Sequence, residues 1–157
     1  VDLGCGTGLA GKDLRDLSSN LIGVDISENM ISEAEKLDVY DTLIIGDIVK
    51  RLNEFSDKFD LLIALDVLIY IGDVQSTFKA VHSSCKKDSL FVFSVEIQSE
   101  NGYSLLKSSR YAHSDEYIMD QTNGLFDLVT SQNVRLRKEG ENWIEGKVYI
   151  FRLGKLG

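Results

Sequence analysis

The sequence contains no proline, two cysteines (Cys5 and Cys85) and two histidines (His82 and His113). Without proline, its turns must be made by glycine, asparagine, aspartate and serine. Two cysteines form neither a disulfide framework nor a zinc-ligand spacing, so the chain reads as cytoplasmic and without a metal site. The longest apolar stretch, Leu61 to Ile71, is interrupted by Asp66 and is too short to span a bilayer. No signal peptide is recognisable, and no membrane association is expected. An initiator methionine is also absent, and Val1 already falls inside a strand pattern. The expectation is a single domain over residues 1–157 that lacks its N-terminal part.

Positive charge is scarce in the first half. The formal net charge is -8; up to Gln75 fifteen acids face six bases, and after it ten acids face eleven bases. A polyphosphate backbone needs Lys and Arg, so this composition argues against a nucleic-acid partner. The basic cluster Arg135, Arg137 and Lys138 reads as the solvated face of an edge strand. With 157 residues, 43% hydrophobic and 27% charged, the chain can bury a core without staples.

Strand and helix signals alternate along the chain. Val1 to Leu3 ends a strand, and Ala10, Leu14 and Leu17 share a helical face. Leu21 to Ile26 is a short buried strand. Ser27 caps a helix whose apolar stripe is Met30, Ile31, Ala34 and Leu37. Thr42 to Ile45 and Asp60 to Leu65 are further strands, the latter apolar enough to be covered on both faces. Asp73 caps a helix with Val74, Phe78, Val81 and Cys85 inward, and Leu90 to Val95 is the fifth strand. Ser114 caps a helix that opens with Asp115 and Glu116, which suit its dipole. Phe126 to Arg137 and Trp143 to Leu153, joined by a turn at Gly140 and Asn142, read as a hairpin. Repeated strand–helix–strand units predict an α/β fold with a parallel sheet covered on both faces. The closing hairpin makes the last strand antiparallel. The expected architecture is a three-layer, Rossmann-like, seven-stranded mixed sheet.

The motif that carries chemistry is Asp2-Leu3-Gly4-Cys5-Gly6-Thr7-Gly8. Alternating glycines after a strand let the backbone turn sharply and let a ligand approach with no Cβ in the way, and the helix that follows offers free N–H groups to a negative group. Asp25 ends the second strand beside this turn, where its carboxylate can accept both hydroxyls of a ribose. The dinucleotide fingerprint G-x-G-x-x-G is not met: the third glycine, Gly8, comes one residue early, Leu9 stands in its place, and Gly11 does not restore it. An NAD-binding oxidoreductase is therefore the weaker alternative.

These residues resemble the class I S-adenosylmethionine (SAM)-dependent methyltransferases. Asp2 to Gly8 looks like their first motif, Val24 to Ser27 with Met30 like the second, Gly46-Asp47-Ile48 like the third, and Phe59-Asp60-Leu61 through Asp66 like the fourth. The resemblance implies that Gly4, Gly6 and Gly8 pass under the methionine portion of SAM and that Asp2 holds its ammonium. Asp25 would take the ribose hydroxyls, and Ile26 and Met30 would pack on the adenine. Asp47 would accept from the adenine amino group with the Ile48 N–H nearby, and the Leu65 backbone would face the ammonium. Two of these have a plainer reading, Met30 as helix core and Asp47 as a turn residue. The product would be S-adenosylhomocysteine (SAH), and the acceptor a small molecule or a protein. A narrower resemblance, in Ser108 to Ser114, is to bacterial predicted methyltransferases that carry tetratricopeptide repeats upstream; no such repeat is present in this sequence.

Methyl transfer from a sulfonium needs alignment above all, and a base only for a weakly acidic nucleophile. No catalytic residue is therefore named by type. Asp66, Tyr70 and His113 are the candidates for a base, and Tyr70, Arg110, Tyr111 and His113 for the rim of a substrate pocket. For His113 the competing reading is a loop-bonding structural role, and for Arg110 a structural ion pair. A non-catalytic SAM-binding interaction module stays open as a second class of function.

Overall fold

The computed structural model describes residues 1–154; residues 155–157, the end of the expected single domain, lie outside the described residues. The first half is a succession of strand–helix units: β1 (Asp2–Leu3), α1 (Leu9–Arg15), β2 (Ile22–Asp25), α2 (Glu28–Glu35), β3 (Thr42–Ile45), α3 (Ile48–Leu52) and β4 (Phe59–Ala64). A 3-10 turn at Leu68–Tyr70 leads to α4 (Gln75–Ser84) and β5 (Cys85–Ile97). The second half comprises β6 (Tyr103–Leu105), β7 (Tyr111–His113), α5 (Asp115–Thr122), β8 (Phe126–Glu139) and β9 (Asn142–Leu153).

β3, β2, β1, β4 and β5 lie side by side and parallel. β9 runs antiparallel to β5, from Leu90 opposite Arg152 to Glu96 opposite Gly146, and β8 runs antiparallel to β9. The seven expected strands are thus all present, with the last antiparallel to both neighbours. Right-handed crossovers put α1 and α2 on one face and the helices after β3 on the other, where α4 packs against α3 and α5.

Two short strands, β6 and β7, were not expected. β7 pairs in parallel with β5 at Glu96 and Ile97. Glu96 also faces Gly146 across its other edge, so β7 lies on the β4 side, beyond the carboxyl end of β4. The short helix α3 was likewise unexpected; Asp47 caps it, its Oδ1 accepting from the Lys50 N–H at 2.9 Å. The caps expected at Ser27 and Ser114 form, each hydroxyl accepting from the backbone N–H three residues on, Met30 and Tyr117.

The core lies between β4, β5, β9 and α4. Phe78 and Val81 are buried on α4 as their spacing predicts; Val74 and Cys85, expected on the same helix face, flank the helix instead, Cys85 as the first residue of β5, and are buried as well. Phe78, Phe91, Phe93, Phe126, Tyr149 and Phe151 form one aromatic cluster with ring centroids 4.8–6.3 Å apart, within the range where such pairs add stability beyond burial. This cluster fixes the sheet whose carboxyl edge carries the site. Among the described residues no helix is long and apolar enough to cross a membrane.

Candidate functional site

A cleft of about 740 Å³ opens along the carboxyl edge of β3, β2, β1 and β4. Each strand contributes the residues that follow it: Asp47 and Ile48 after β3, Asp25 and Ile26 at the end of β2, Gly4 to Thr7 after β1, and Leu65 to Val67 after β4. Open parallel sheets bind ligands at this edge because helix starts and backbone N–H groups converge there. The glycine turn depends on its composition. Gly4 and Gly6 both hold left-handed backbone, with φ of 66° and 55°, and a Cβ on Gly4 would strike the Val67 side chain. The loops after β1 and β4 touch only because Gly4 has no side chain.

Asp25 is held by backbone alone. Its Oδ2 accepts from the Gly6 N–H at 2.9 Å and its Oδ1 from the Ser27 N–H at 2.8 Å. Each carboxylate oxygen has a second lone pair, so both remain able to accept from a vicinal diol. Asp2 is 2% exposed and its Oδ2 accepts from the Tyr40 hydroxyl at 2.6 Å. Burial pushes its carboxyl above the usual carboxylate range, and the Tyr40 hydrogen bond opposes that rise. The lining includes four carboxylates, Asp2, Asp25, Asp47 and Asp66, and no Lys, Arg or His. Between them the floor is apolar: Leu9, Ile26, Met30, Ile48, Val49 and Leu65.

Of the residues expected at a cofactor, the cleft brings together Asp2, Gly4, Gly6, Asp25, Ile26, Met30, Asp47, Ile48 and Leu65. Met30 is 42% exposed and faces the cleft; in its helix stripe only Ile31 and Ala34 are buried. Gly8 is not in the lining. It packs against Leu37 and Tyr40 behind the turn, each 3.1 Å from where its Cβ would stand.

The candidates for a base and for the substrate rim divide. Asp66 and Tyr70 line the cleft; Arg110, Tyr111 and His113 do not. They sit in the β6–β7 hairpin, where Tyr111 and His113 pack against the Ile71–Gly72 backbone. His113 is 0% exposed, and its Nε2 lies 3.0 Å from both the Ile71 and Gly72 carbonyl oxygens. Two carbonyl partners require Nε2 to carry the proton. Its Nδ1 is buried without a partner, and burial lowers its pKa. A ring so engaged fastens the loop after β4 to β7 and offers the cleft no base. Tyr111 packs on Gly72, where a Cβ would come within 2.8 Å of its ring. Arg110 is paired with Glu139. Asp66, in left-handed backbone at φ 58°, accepts from Arg137 Nη1 at 2.8 Å. The same guanidinium pairs with buried Glu96 and reaches Glu139. The cluster read as a solvated face therefore supplies, in Arg137, the hub of an ion network.

Residues 1–93 match the family described as "Methyltransferase domain". The chain belongs to that family. Its fold is that of the class I, SAM-dependent methyltransferases. Over 124 residues the methyltransferase domain is 30% identical to YqeM of Bacillus subtilis (strain 168), a protein named as a candidate methyltransferase, covering 75% of this chain and 50% of that one. It is also 30% identical over 93 residues to the 18S rRNA (guanine-N(7))-methyltransferase of Bos taurus, covering 58% of this chain and 33% of the relative. The chain thus spans about half, or less, of the length of these curated relatives. A solved SAM-dependent methyltransferase from Clostridium acetobutylicum ATCC 824 superposes with a TM-score of 0.76 at 22% identity, covering 98% of this chain and 82% of that one.

Proposed function

We propose that this chain is the SAM-binding core of a cytoplasmic methyltransferase acting on a small-molecule or protein acceptor. The observation that carries the reading is the pair of carboxylates, Asp2 and Asp25, on either side of the glycine turn in one cleft. SAM fits this donor set by its chemistry. An ammonium group calls for a buried anion, which Asp2 supplies. A ribose diol calls for a carboxylate with two free lone pairs, which Asp25 supplies. An adenine calls for apolar walls with an acceptor at one end, which Ile26, Met30, Ile48 and Asp47 supply. SAM brings an electrophilic methyl group on a sulfonium with a good leaving group.

The protein then contributes placement. Gly4 and Gly6 keep the turn clear, and Asp2 and Asp25 fix the two polar ends of the ligand. Leu65 and Tyr70 bound the side from which an acceptor would approach, and holding reactants in line can supply most of the rate gain. Within the cleft only Asp66 and Tyr70 remain as proton acceptors, and Asp66 is already committed to Arg137.

The acceptor class follows from charge. Three lining carboxylates without a cationic partner, Asp2, Asp25 and Asp47, repel a phosphate backbone, which favours a neutral or cationic acceptor over an RNA such as the bovine relative's. The free, buried Cys5 and Cys85 support a reducing compartment. The narrower likeness of Ser108 to Ser114 to methyltransferases with upstream tetratricopeptide repeats stays part of this proposal, as does the reading of the chain as one domain. Calorimetry with SAH and NAD offered separately tests the cofactor: SAH should bind and NAD should not. Tight NAD binding with no SAH binding would overturn the reading.

A further inference from the structure

Tyr40 has no place in the motifs above, yet the fold is built around its side chain. It lies between α2 and β3. Three glycines on three different segments clear the space its ring fills. A Cβ on Gly11 in α1 would collide with the ring; one on Gly23 in β2 would stand 3.0 Å from Cε1, and one on Gly8 in the turn 3.1 Å from Cε2. The backbone on both sides of Tyr40 is clamped. Arg15 donates to the Val39 carbonyl at 3.0 Å and to Asp41 at 2.7 Å, and Asp41 accepts from the Leu21 N–H at 2.6 Å. So held, the phenol meets Asp2 Oδ2 at 2.6 Å. Asp2 lines the cleft and Tyr40 does not. Among the described residues no other hydrogen bond occupies the Asp2 carboxyl.

We propose that Tyr40 is a positioning residue for cofactor binding: it fixes the Asp2 carboxylate from behind, with one oxygen tied down and the other presented to the ligand's ammonium. This rests on the SAM-binding reading above. The physical need is plain. A carboxylate taken out of water drifts toward its neutral form unless something donates to it, and a neutral Asp2 would lose its attraction for an ammonium. One donor at Oδ2 stabilises the charge without using the face that meets the ligand, and a rigid phenol restricts the carboxyl to one orientation. The glycines at 11 and 23, which serve no turn, find their reason here.

Tyr40→Phe keeps the ring in its slot and removes only the hydroxyl. Calorimetry should compare SAH, which carries the ammonium, with 5′-methylthioadenosine, which has the nucleoside but no amino-acid portion. A hydrogen bond to a charged group sets the scale at about tenfold. The expected result is that Tyr40→Phe weakens SAH about tenfold and leaves methylthioadenosine unchanged. In an Asp2→Asn background the same substitution should have no further effect on SAH. Equal weakening of both ligands, or of neither, overturns the inference while leaving the SAM-binding reading intact. Wild-type chain that binds neither ligand would remove that reading, and this inference with it.

Discussion

The carboxylates in β1, at the end of β2 and after β3 are handled in the opposite way to those of β5 and β8. Asp2, Asp25 and Asp47 accept from neutral donors: a phenol, two backbone N–H groups and a helix-cap N–H. Glu96 and Glu139 are each matched to a guanidinium. A neutral donor orients a carboxylate and leaves its charge unspent, so a cationic or hydroxylated ligand still feels it. A guanidinium cancels the charge and converts the carboxylate into a strut. The first edge is therefore equipped to bind and the second to hold, and Asp66 stands where they meet, lining the cleft but paired to Arg137.

The largest effect expected from this contrast is on stability. Arg137→Met leaves Glu96, 4% exposed, without its partner. Removing one member of a buried pair costs about 3 kcal/mol because the other charge is stranded. Urea denaturation should show that loss, with SAH affinity changed far less. A large drop in SAH affinity at unaltered stability would erase the distinction between the two edges.

Next comes binding. Asp25→Ala should lower SAH affinity by at least about tenfold, since each charge-assisted hydrogen bond is worth about 1.5–3 kcal/mol. Its stability cost should be smaller than that of Arg137→Met, because Gly6 lines the cleft and Ser27 is only half-buried, so water can reach the N–H groups it releases. Titration calorimetry and denaturation of the same variant would check both halves. Unchanged SAH affinity would remove Asp25 from the binding edge.

The cleft at the proposed binding edge was legible in the sequence because backbone forms it. Alternating glycines, an acid ending β2 and the next acid after β3 are local patterns whose positions along the edge follow from parallel topology. The holding edge was not legible. Arg137 and Asp66 are 71 residues apart in the chain, and nothing in the local sequence Arg135 to Lys138 separates a hub from a solvated face. Tyr40 escaped for the same reason, as a single aromatic between a helix and a strand; its only trace was a glycine, Gly11, that fitted no fingerprint. The hairpin of β6 and β7 is too short for a period to register. It carries His113 to the back of the loop after β4, while sequence order alone suggested the rim.

The smallest effect, and the one that most directly separates a strut from a base, concerns His113. Its buried ring donates from Nε2 to two carbonyls and has an unpartnered Nδ1, and burial holds its pKa below the ordinary value of 6.5. In the unfolded chain the imidazole gains its proton near that ordinary value; in the fold it stays neutral to lower pH. The unfolded state therefore binds more protons in the interval between the two. Stability is fully present above about pH 6.5 and is lost as pH falls toward the folded-state pKa. Melting followed from pH 7.5 to 5.5 should show a decline of a few degrees. His113→Gln, which keeps an N–H donor for Ile71 and Gly72 but does not titrate, should flatten it. SAH affinity should be the same in both proteins, since the ring does not line the cleft. A variant with an unchanged melting profile but lost methyl transfer would return His113 to the reacting centre and move the boundary between the two edges past β7.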